Sequence, residues 1–462
     1  MSDQTKLKKL KYLKSLVVYI VIVMFFGSTV MLTKPAQAAT PLPFNLGAKS
    51  AILVDAKTGK ILYAKNADKS LPPASMTKLM TEYLVLKELD KGKIKLSTTV
   101  PVDSKVQDIS RDTNFSGVPL STSYPYTVDE MLKALLIPSS NAAAVAFANL
   151  ISGNESNFVT LMNKTAKSLG MTETTYVNAS GLDNVDIYHD LGSSALAQGG
   201  ENGIDKTSAR DLAILAYHIM NDFPPNLMSD INQITSMAQY KFKIDKDTTQ
   251  TITNTNWMLP SFSQLGPDMK KYEYPGVDGF KTGFTSLAGY CFTGTVQQGD
   301  RRFISVVMGT KSEGDRFLQT KQLYDYGFKQ ISNQTIAKKG YTFKNKKTLP
   351  VTKGKQSSVN IALSNDVTLP LANGEKNNYK LVLHLNKSLL DKNGNLIAPV
   401  KKGQKVGYAT VENTGNDNYG YIIGHAPQIN VVTTSSVDKA NWIVLLFRNI
   451  GGLVNGLFHH GK

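Results

Sequence analysis

The spacing of apolar positions changes several times along the chain, and each change marks an element. Lys49 to Asp55 and Ile61 to Asn66 read as strands joined by a hairpin, Ala56-Lys57-Thr58-Gly59-Lys60, with glycine at its turn. From Met76 the spacing becomes three and four, through Leu79, Met80, Tyr83 and Leu84, which predicts one face of a helix ending near Gly92. Pro72 and Pro73 stand just ahead of it, where they suit an extended entry. Thr127-Val128-Asp129-Glu130 is a capping box that opens another helix. Pro138 breaks that helix, which leaves Ser139 and Asn141 on a short exposed turn before an alanine-rich helix, Ala142 to Leu150. Helices are also predicted at Phe158 to Leu169 and Ala209 to Met220, with a long loop rich in Gly, Asn and Asp over 178–205. Gly289 to Val296 and Arg302 to Thr310 then read as an antiparallel pair, with Lys281-Thr282-Gly283 at the start of its first strand and a helix, Arg316 to Ile331, behind it.

From about Ser332 the pattern alternates in short runs, such as Tyr379 to Leu385, broken by Asn-Gly turns at Asn373-Gly374 and Asn393-Gly394. The fold class is therefore α+β, an antiparallel sheet covered by helices over 39–331, followed by a small all-β domain at 332–435. In the last segment, 436–462, Trp442, Leu446, Ile450, Leu453 and Leu457 recur at helical spacing with Arg448, Asn449 and Asn455 between them. It is too polar and glycine-broken to span a bilayer. It fits an amphipathic helix lying in the membrane interface; a terminal helix docked on the β domain is the alternative. Residues 1–38 read as a signal peptide: Lys6 to Lys14 is a positive start, Leu16 to Phe26 an apolar run, and Ala36-Gln37-Ala38 a cleavage site. An uncleaved anchor is the other reading, and either way the body of the protein is expected outside the cytoplasm.

Composition sharpens this picture. The 462 residues are 41% apolar and 19% charged, enough for two or three domains, and the formal charge is +16. A basic surface suits anionic partners, either lipid or wall polymer. Nucleic acid is not expected, because no recognition motif for it is present. The single cysteine, Cys291, allows no internal disulfide and sits in an apolar strand-like run, as a buried small residue would. The six histidines form no ligand-spaced set beyond His459-His460, so no metal or other cofactor is expected.

Three short motifs carry chemistry. Ser75 and Lys78 lie three apart at a helix start, on one face, about 5–6 Å apart at Cβ. A serine hydroxyl needs a base to become a nucleophile, and a lysine serves if burial or a nearby cation lowers its pKa. The helix N-terminus offers N–H groups to a developing oxyanion. Ser139-x-Asn141 sits on the turn between helices and Lys281-Thr282-Gly283 on a strand. Each is weak alone: Ser-x-x-Lys recurs at Ser436 to Lys439, and Lys-Thr-Gly at Lys57 to Gly59. Their order, and their places on helix start, inter-helix turn and strand, make a strong signal together.

On these strings, Pro72-Pro73-Ala74-Ser75-Met76-Thr77-Lys78, Ser139-Ser140-Asn141-Ala142-Ala143 and Asp278-Gly279-Phe280-Lys281-Thr282-Gly283, the chain resembles the low-molecular-mass penicillin-binding proteins that are D-alanyl-D-alanine carboxypeptidases. The resemblance covers nearly the whole chain and implies a transpeptidase/β-lactamase-like domain. It implies that Ser75 forms an acyl-enzyme, with Lys78 as proton acceptor. Ser139 would relay a proton and Asn141 hold the substrate amide. Lys281, with Thr282 and Gly283, would bind the carboxylate side and depress the Lys78 pKa. The N–H groups of Ser75 and Phe284 would form the oxyanion hole, and Arg316 would grip the terminal carboxylate. Phe284 departs from the Tyr or His expected there. The implied partners are stem peptides ending in D-Ala-D-Ala, β-lactams as covalent inhibitors, and the membrane surface through 436–462. A class A β-lactamase would need a glutamate for deacylation, and no Glu-x-x-Leu-Asn occurs in residues 142–280. A non-enzymatic wall-binding module would need a missing site residue, and none is missing.

Overall fold

The computed structural model describes residues 45–415, 419–443 and 445. The signal peptide and cleavage site expected within 1–38, and most of the tail helix expected over 436–462, lie outside the described residues.

Two strands, β1 (Ser50–Asp55) and β2 (Ile61–Lys65), form the first hairpin. A 3-10 turn, Ala74–Thr77, runs into helix α1 (Lys78–Asp90). Helices α2 (Ser104–Arg111), α3 (Val128–Leu136), α4 (Asn141–Ser152) and α5 (Glu155–Leu169) follow, then α6 (Asn184–Leu191), α7 (Ala209–Asn221) and α8 (Pro225–Thr235). A small hairpin, β3 (Gln239–Lys243) and β4 (Thr249–Thr253), precedes β5 (Val277–Thr285), β6 (Gly289–Gln298), β7 (Arg301–Thr310) and α9 (Glu313–Gln330). The main sheet is antiparallel with the order β2-β1-β7-β6-β5, so the first strand of the chain lies beside the last of the domain. Its core is continuous with the helices: Ile52, Met76, Leu79, Leu132, Phe147, Leu212 and Val306 belong to one buried cluster.

The β-rich part begins at once after α9. A two-stranded sheet pairs β8 (Ile331–Ala337) with β11 (Val367–Ala372). A six-stranded sheet contains β9 (Thr348–Thr352), β10 (Ser358–Leu363), β12 (Tyr379–Leu385), β13 (Leu396–Ile397), β14 (Lys405–Asn413) and β15 (Ile429–Thr433), in the order β12-β14-β15-β10-β9-β13. These two sheets enclose a second core around Leu349, Ile361, Leu371, Val406 and Val431. One excursion returns: the Ile422 N–H donates to the Gly59 carbonyl at 2.9 Å, and Ile422 joins the larger core.

Three readings of the sequence need correction. The Ser139-Ser140-Asn141 turn is not exposed; all three residues are buried, at 3%, 0% and 1%. A distant segment covers it, with the Asn141 N–H bonded to the Ser116 carbonyl at 3.0 Å. At Gly117 a Cβ would meet Ser140 Oγ at 2.8 Å, so only glycine fits there. Lys281-Thr282-Gly283 does not open the strand that runs to Val296. It lies in the middle of β5, a third strand at the sheet edge, whose glycines 279 and 283 resemble a loop in sequence. The 178–205 loop contains a helix, α6, and a 3-10 turn at Ser193–Ala195. Two helices are not anticipated from the sequence: α2, which is only eight residues long and buries only Val106 and Ile109, and α8, which begins at Pro225.

The capping box of α3 is formed in both directions: the Glu130 N–H donates to Thr127 Oγ1 at 3.2 Å and the Thr127 N–H to Glu130 Oε2 at 2.9 Å. Thr127→Ala removes one of these bonds and is expected to cost about 1 kcal/mol. Urea unfolding measures this as a lower midpoint with an unchanged slope.

Candidate active site

The site is built where the first turn of α1, the α3–α4 junction and β5 converge. Ser75 is half-buried on the 3-10 turn. Ala74, just before it, is held at φ 49, a left-handed conformation that a non-glycine residue adopts only when the surroundings enforce it. What enforces it is close packing on both sides. A Cβ on Gly283 of β5 would stand 2.5 Å from the Pro73 carbonyl, and one on Gly181 would stand 1.9 Å from the Ala74 carbonyl. The glycine of Lys-Thr-Gly is thus a spacing residue, letting the strand edge come up to the serine turn.

Lys78 is fully buried and its Nζ has three partners: Ser75 Oγ at 2.9 Å, Asn141 Oδ1 at 2.6 Å and the Ser180 carbonyl at 2.7 Å. Burial, and then the positive charge of Lys281, hold its pKa well below the ordinary lysine value, while Asp205 opposes them. A lysine that is neutral here has a lone pair directed at a hydroxyl within hydrogen-bond distance. Lys281 is itself buried and donates to the Thr282 carbonyl at 3.2 Å; burial and the Arg316 cation bring it down to about 7, against Glu82. Thr282 Oγ1 lies 2.6 Å from Thr255 Oγ1.

Ser139 sits at φ 65, and its buried hydroxyl has no hydrogen-bond partner among the described residues. A strained residue holding a free hydroxyl two positions from Asn141 is poised for a group that enters from outside. Arg316, from α9, reaches back to the strand: its guanidinium donates to the Gly283 carbonyl at 3.3 Å and to Glu313 Oε1 at 2.7 Å, and lies over the Tyr290 ring. Phe284 is 50% exposed and stacks on Tyr290 with centroids 4.3 Å apart. All nine residues singled out in the sequence therefore fall on these converging segments and on α9.

The sequence reading missed three more. Asp205 is buried and accepts from Thr77 Oγ1 and from the Val177 N–H, each at 2.6 Å, which fastens the end of the long loop to the serine turn. Burial pushes its carboxyl up to about 7. Asn178 accepts from the N–H groups of Ser180 and Gly181, at 3.0 and 2.7 Å, and so folds the turn whose Ser180 carbonyl receives Lys78. The local signal for this was Asn178-Ala179-Ser180-Gly181, an Asx turn followed by glycine. Glu82 is one helical turn beyond Lys78, fully buried, with neither carboxyl oxygen hydrogen-bonded among the described residues. Burial pushes it up to about 8, against the pull of Lys281. Its signal was a charge on the apolar face of α1.

Residues 34–312 match the family model described as D-alanyl-D-alanine carboxypeptidase, and residues 332–439 match that of the penicillin-binding protein 5 C-terminal domain. The chain is 32% identical over 404 residues to D-alanyl-D-alanine carboxypeptidase DacF of Bacillus subtilis, covering 87% of this chain and 89% of the relative. It is 31% identical over 372 residues to DacC of Escherichia coli, covering 79% of each. Among solved structures, penicillin-binding protein 3 of Streptococcus pneumoniae superposes with a TM-score of 0.68 at 30% identity, over 86% of this chain and all of that one. Penicillin-binding protein 5 of Haemophilus influenzae superposes with a TM-score of 0.63 at 27% identity, over 87% of this chain and all of that one.

The Glu82 carboxyl keeps its proton to about pH 8 in the fold but releases it near 4.5 when unfolded. Its contribution to stability is full below the unfolded value and is lost as pH rises toward the folded one. Glu82→Gln stays neutral throughout. Its stability relative to the parent is therefore expected to rise between about pH 5 and 8, by at most about 1.4 kcal/mol per pH unit. Denaturant midpoints of the two proteins across that range measure the difference.

Proposed function

The chain belongs to the D-alanyl-D-alanine carboxypeptidase family of low-molecular-mass penicillin-binding proteins, and on that premise we propose how its own residues carry the reaction. It is a serine-type carboxypeptidase, and its substrate is a peptidoglycan stem peptide ending in D-Ala-D-Ala. One observation carries the assignment: a buried lysine 2.9 Å from the hydroxyl of a half-buried serine, with Asn141 and the Ser180 carbonyl fixing its other directions.

Neutral Lys78 takes the proton from Ser75 Oγ, and the oxygen attacks the carbonyl of the penultimate D-alanine. The oxyanion receives hydrogen bonds from the backbone N–H groups of Ser75 and Phe284. Collapse breaks the C–N bond. The proton held by Lys78 passes through the Ser139 hydroxyl to the departing amine, and D-alanine leaves. Asn141 orients both Lys78 and the substrate amide. Lys281 and Arg316 supply positive charge for the terminal carboxylate, with Thr282 and Gly283 forming the strand edge along which the peptide lies. Water then hydrolyses the ester at Ser75. A β-lactam enters by the same attack, but its amine stays tethered after ring opening, so the acyl-enzyme persists.

The place of the reaction is also a proposal. The apolar run and small-residue site in 1–38 support export, and the amphipathic spacing of 436–462 supports attachment to the outer face of the cytoplasmic membrane.

Brief exposure of the full chain to penicillin, followed by mass spectrometry, is expected to give one adduct on the peptide that contains Ser75. Ser75→Ala should give none. Lys78→Ala should acylate about 10²–10⁴-fold more slowly, as loss of a general base does. An adduct on another peptide, or unchanged acylation in Lys78→Ala, would overturn the assignment.

A further inference from the structure

Charge is unevenly divided along the chain. Residues 39–331 hold 29 lysines and arginines against 29 aspartates and glutamates, a net charge of zero. Residues 332–435 hold 14 lysines against five acids, a net of +9. The catalytic part has no net charge, and the β-rich part carries +9 of the protein's net +16.

Part of that charge is gathered at one place. Lys353, Lys355, Lys401, Lys402 and Lys439 are all exposed. The backbone stitches their segments together. The Ala440 N–H donates to the Lys353 carbonyl at 2.8 Å, and the Lys355 N–H to the Asp438 carbonyl at 2.7 Å. Val400 and Val437 exchange hydrogen bonds at 2.9 and 2.8 Å, and the Lys402 N–H donates to Ser436 Oγ at 2.9 Å. Asp438 offsets one lysine, with its carboxylate 3.1 Å from Lys355 Nζ. Among the described residues no carboxylate lies within 4.0 Å of the other four ammonium groups. Lys353 also holds φ 57, a conformation that glycine or asparagine would adopt at less cost. The collar is built around the bridged segment 436–440, through which the chain leaves the β-rich domain. Trp442 and Ile443 follow directly and are 73% and 44% exposed.

We infer that this lysine collar seats the foot of the β-rich domain on an anionic lipid surface, with Trp442 entering the headgroup layer. The inference rests on the membrane reading above and adds to it a lipid preference that the tail alone would not give. Lysines beside a membrane-facing segment are drawn to anionic headgroups within about a Debye length. Tryptophan partitions to the same depth, being apolar in its rings and polar at its N–H. A soluble polyphosphate polymer would also attract the lysines, but would leave an exposed tryptophan and isoleucine beside them without a role.

The test uses the full chain with Trp257→Phe, which leaves Trp442 as the only tryptophan. It is compared with the same chain carrying Lys353→Gln, Lys401→Gln, Lys402→Gln and Lys439→Gln. Vesicles are phosphatidylcholine alone or mixed with phosphatidylglycerol. The parent is expected to bind the mixed vesicles more tightly, with a blue shift of Trp442 fluorescence and a loss of the preference in 1 M salt. The quadruple variant should bind mixed vesicles about 1000-fold more weakly, at about 1 kcal/mol per lysine. Its binding to neutral vesicles and its acylation by penicillin should be unchanged, which shows that the fold and the tail are intact. Equal binding of parent and variant to mixed vesicles would overturn the collar while leaving the tail reading standing. Absence of binding to any vesicle would overturn both. Binding to soluble polyglycerol phosphate as tight as to mixed vesicles, with Trp442 fluorescence unmoved, would overturn the lipid assignment in favour of a wall polymer.

Discussion

Everything at the site depends on keeping one amine out of water. An ammonium buried without full compensation is costly, so a fully buried lysine shifts toward its neutral form. Lys78 is placed to make that shift useful. Its Nζ is fixed by Asn141 and by a backbone carbonyl, and its remaining direction points at Ser75. Lys281 reinforces the effect from the strand side and Asp205 opposes it, while Glu82 acts on Lys281, holding it toward its charged form. The site is an arrangement of two lysines and two carboxyls in a small volume closed to solvent, and its reactivity comes from how burial divides protons among them.

That closure is achieved by close backbone approach. Gly181 and Gly283 let the long loop and the edge strand rest on the serine turn from opposite sides, and Ala74 and Ser139 hold left-handed conformations beside it. Such strain costs on the order of 1–3 kcal/mol for each residue and persists only where packing imposes it. Here the surrounding core is large enough to impose it: Met76, Leu79 and Met80 anchor the serine helix into the cluster that also holds the main sheet.

Much of this was legible in the sequence, for identifiable reasons. The helix that follows Ser75, the capping box at Thr127 and the alternating runs after Ser332 are local signals that the fold preserves. The reading that failed at Ser139 to Asn141 failed because exposure is not local. Polar residues beside a proline suggest a surface turn, and only the distant Ser116–Val118 segment buries them. Lys281-Thr282-Gly283 was placed at the start of the next strand for a similar reason, since the purpose of Gly283 is clearance for Pro73, some 200 residues earlier. Asp205 and Glu82 went unnoticed because a carboxyl acquires meaning only from what it faces, and their surroundings come from separate parts of the chain.

The order of the main sheet has a consequence for the history of each molecule. Strand β1 is flanked by β2 and β7, with Ser50 opposite Met308, so the sheet is closed by its two ends in sequence. Pairings of such long range form late, after the entropy of a large loop has been paid. A growing chain that already displays Ser75 and Lys78 still lacks β5, β7 and the packing that dries the amine. Until they arrive, the lysine is an ordinary surface cation and the serine an ordinary alcohol. Synthesis itself therefore acts as a safety catch, and nucleophilic power appears only in a molecule whose architecture is finished.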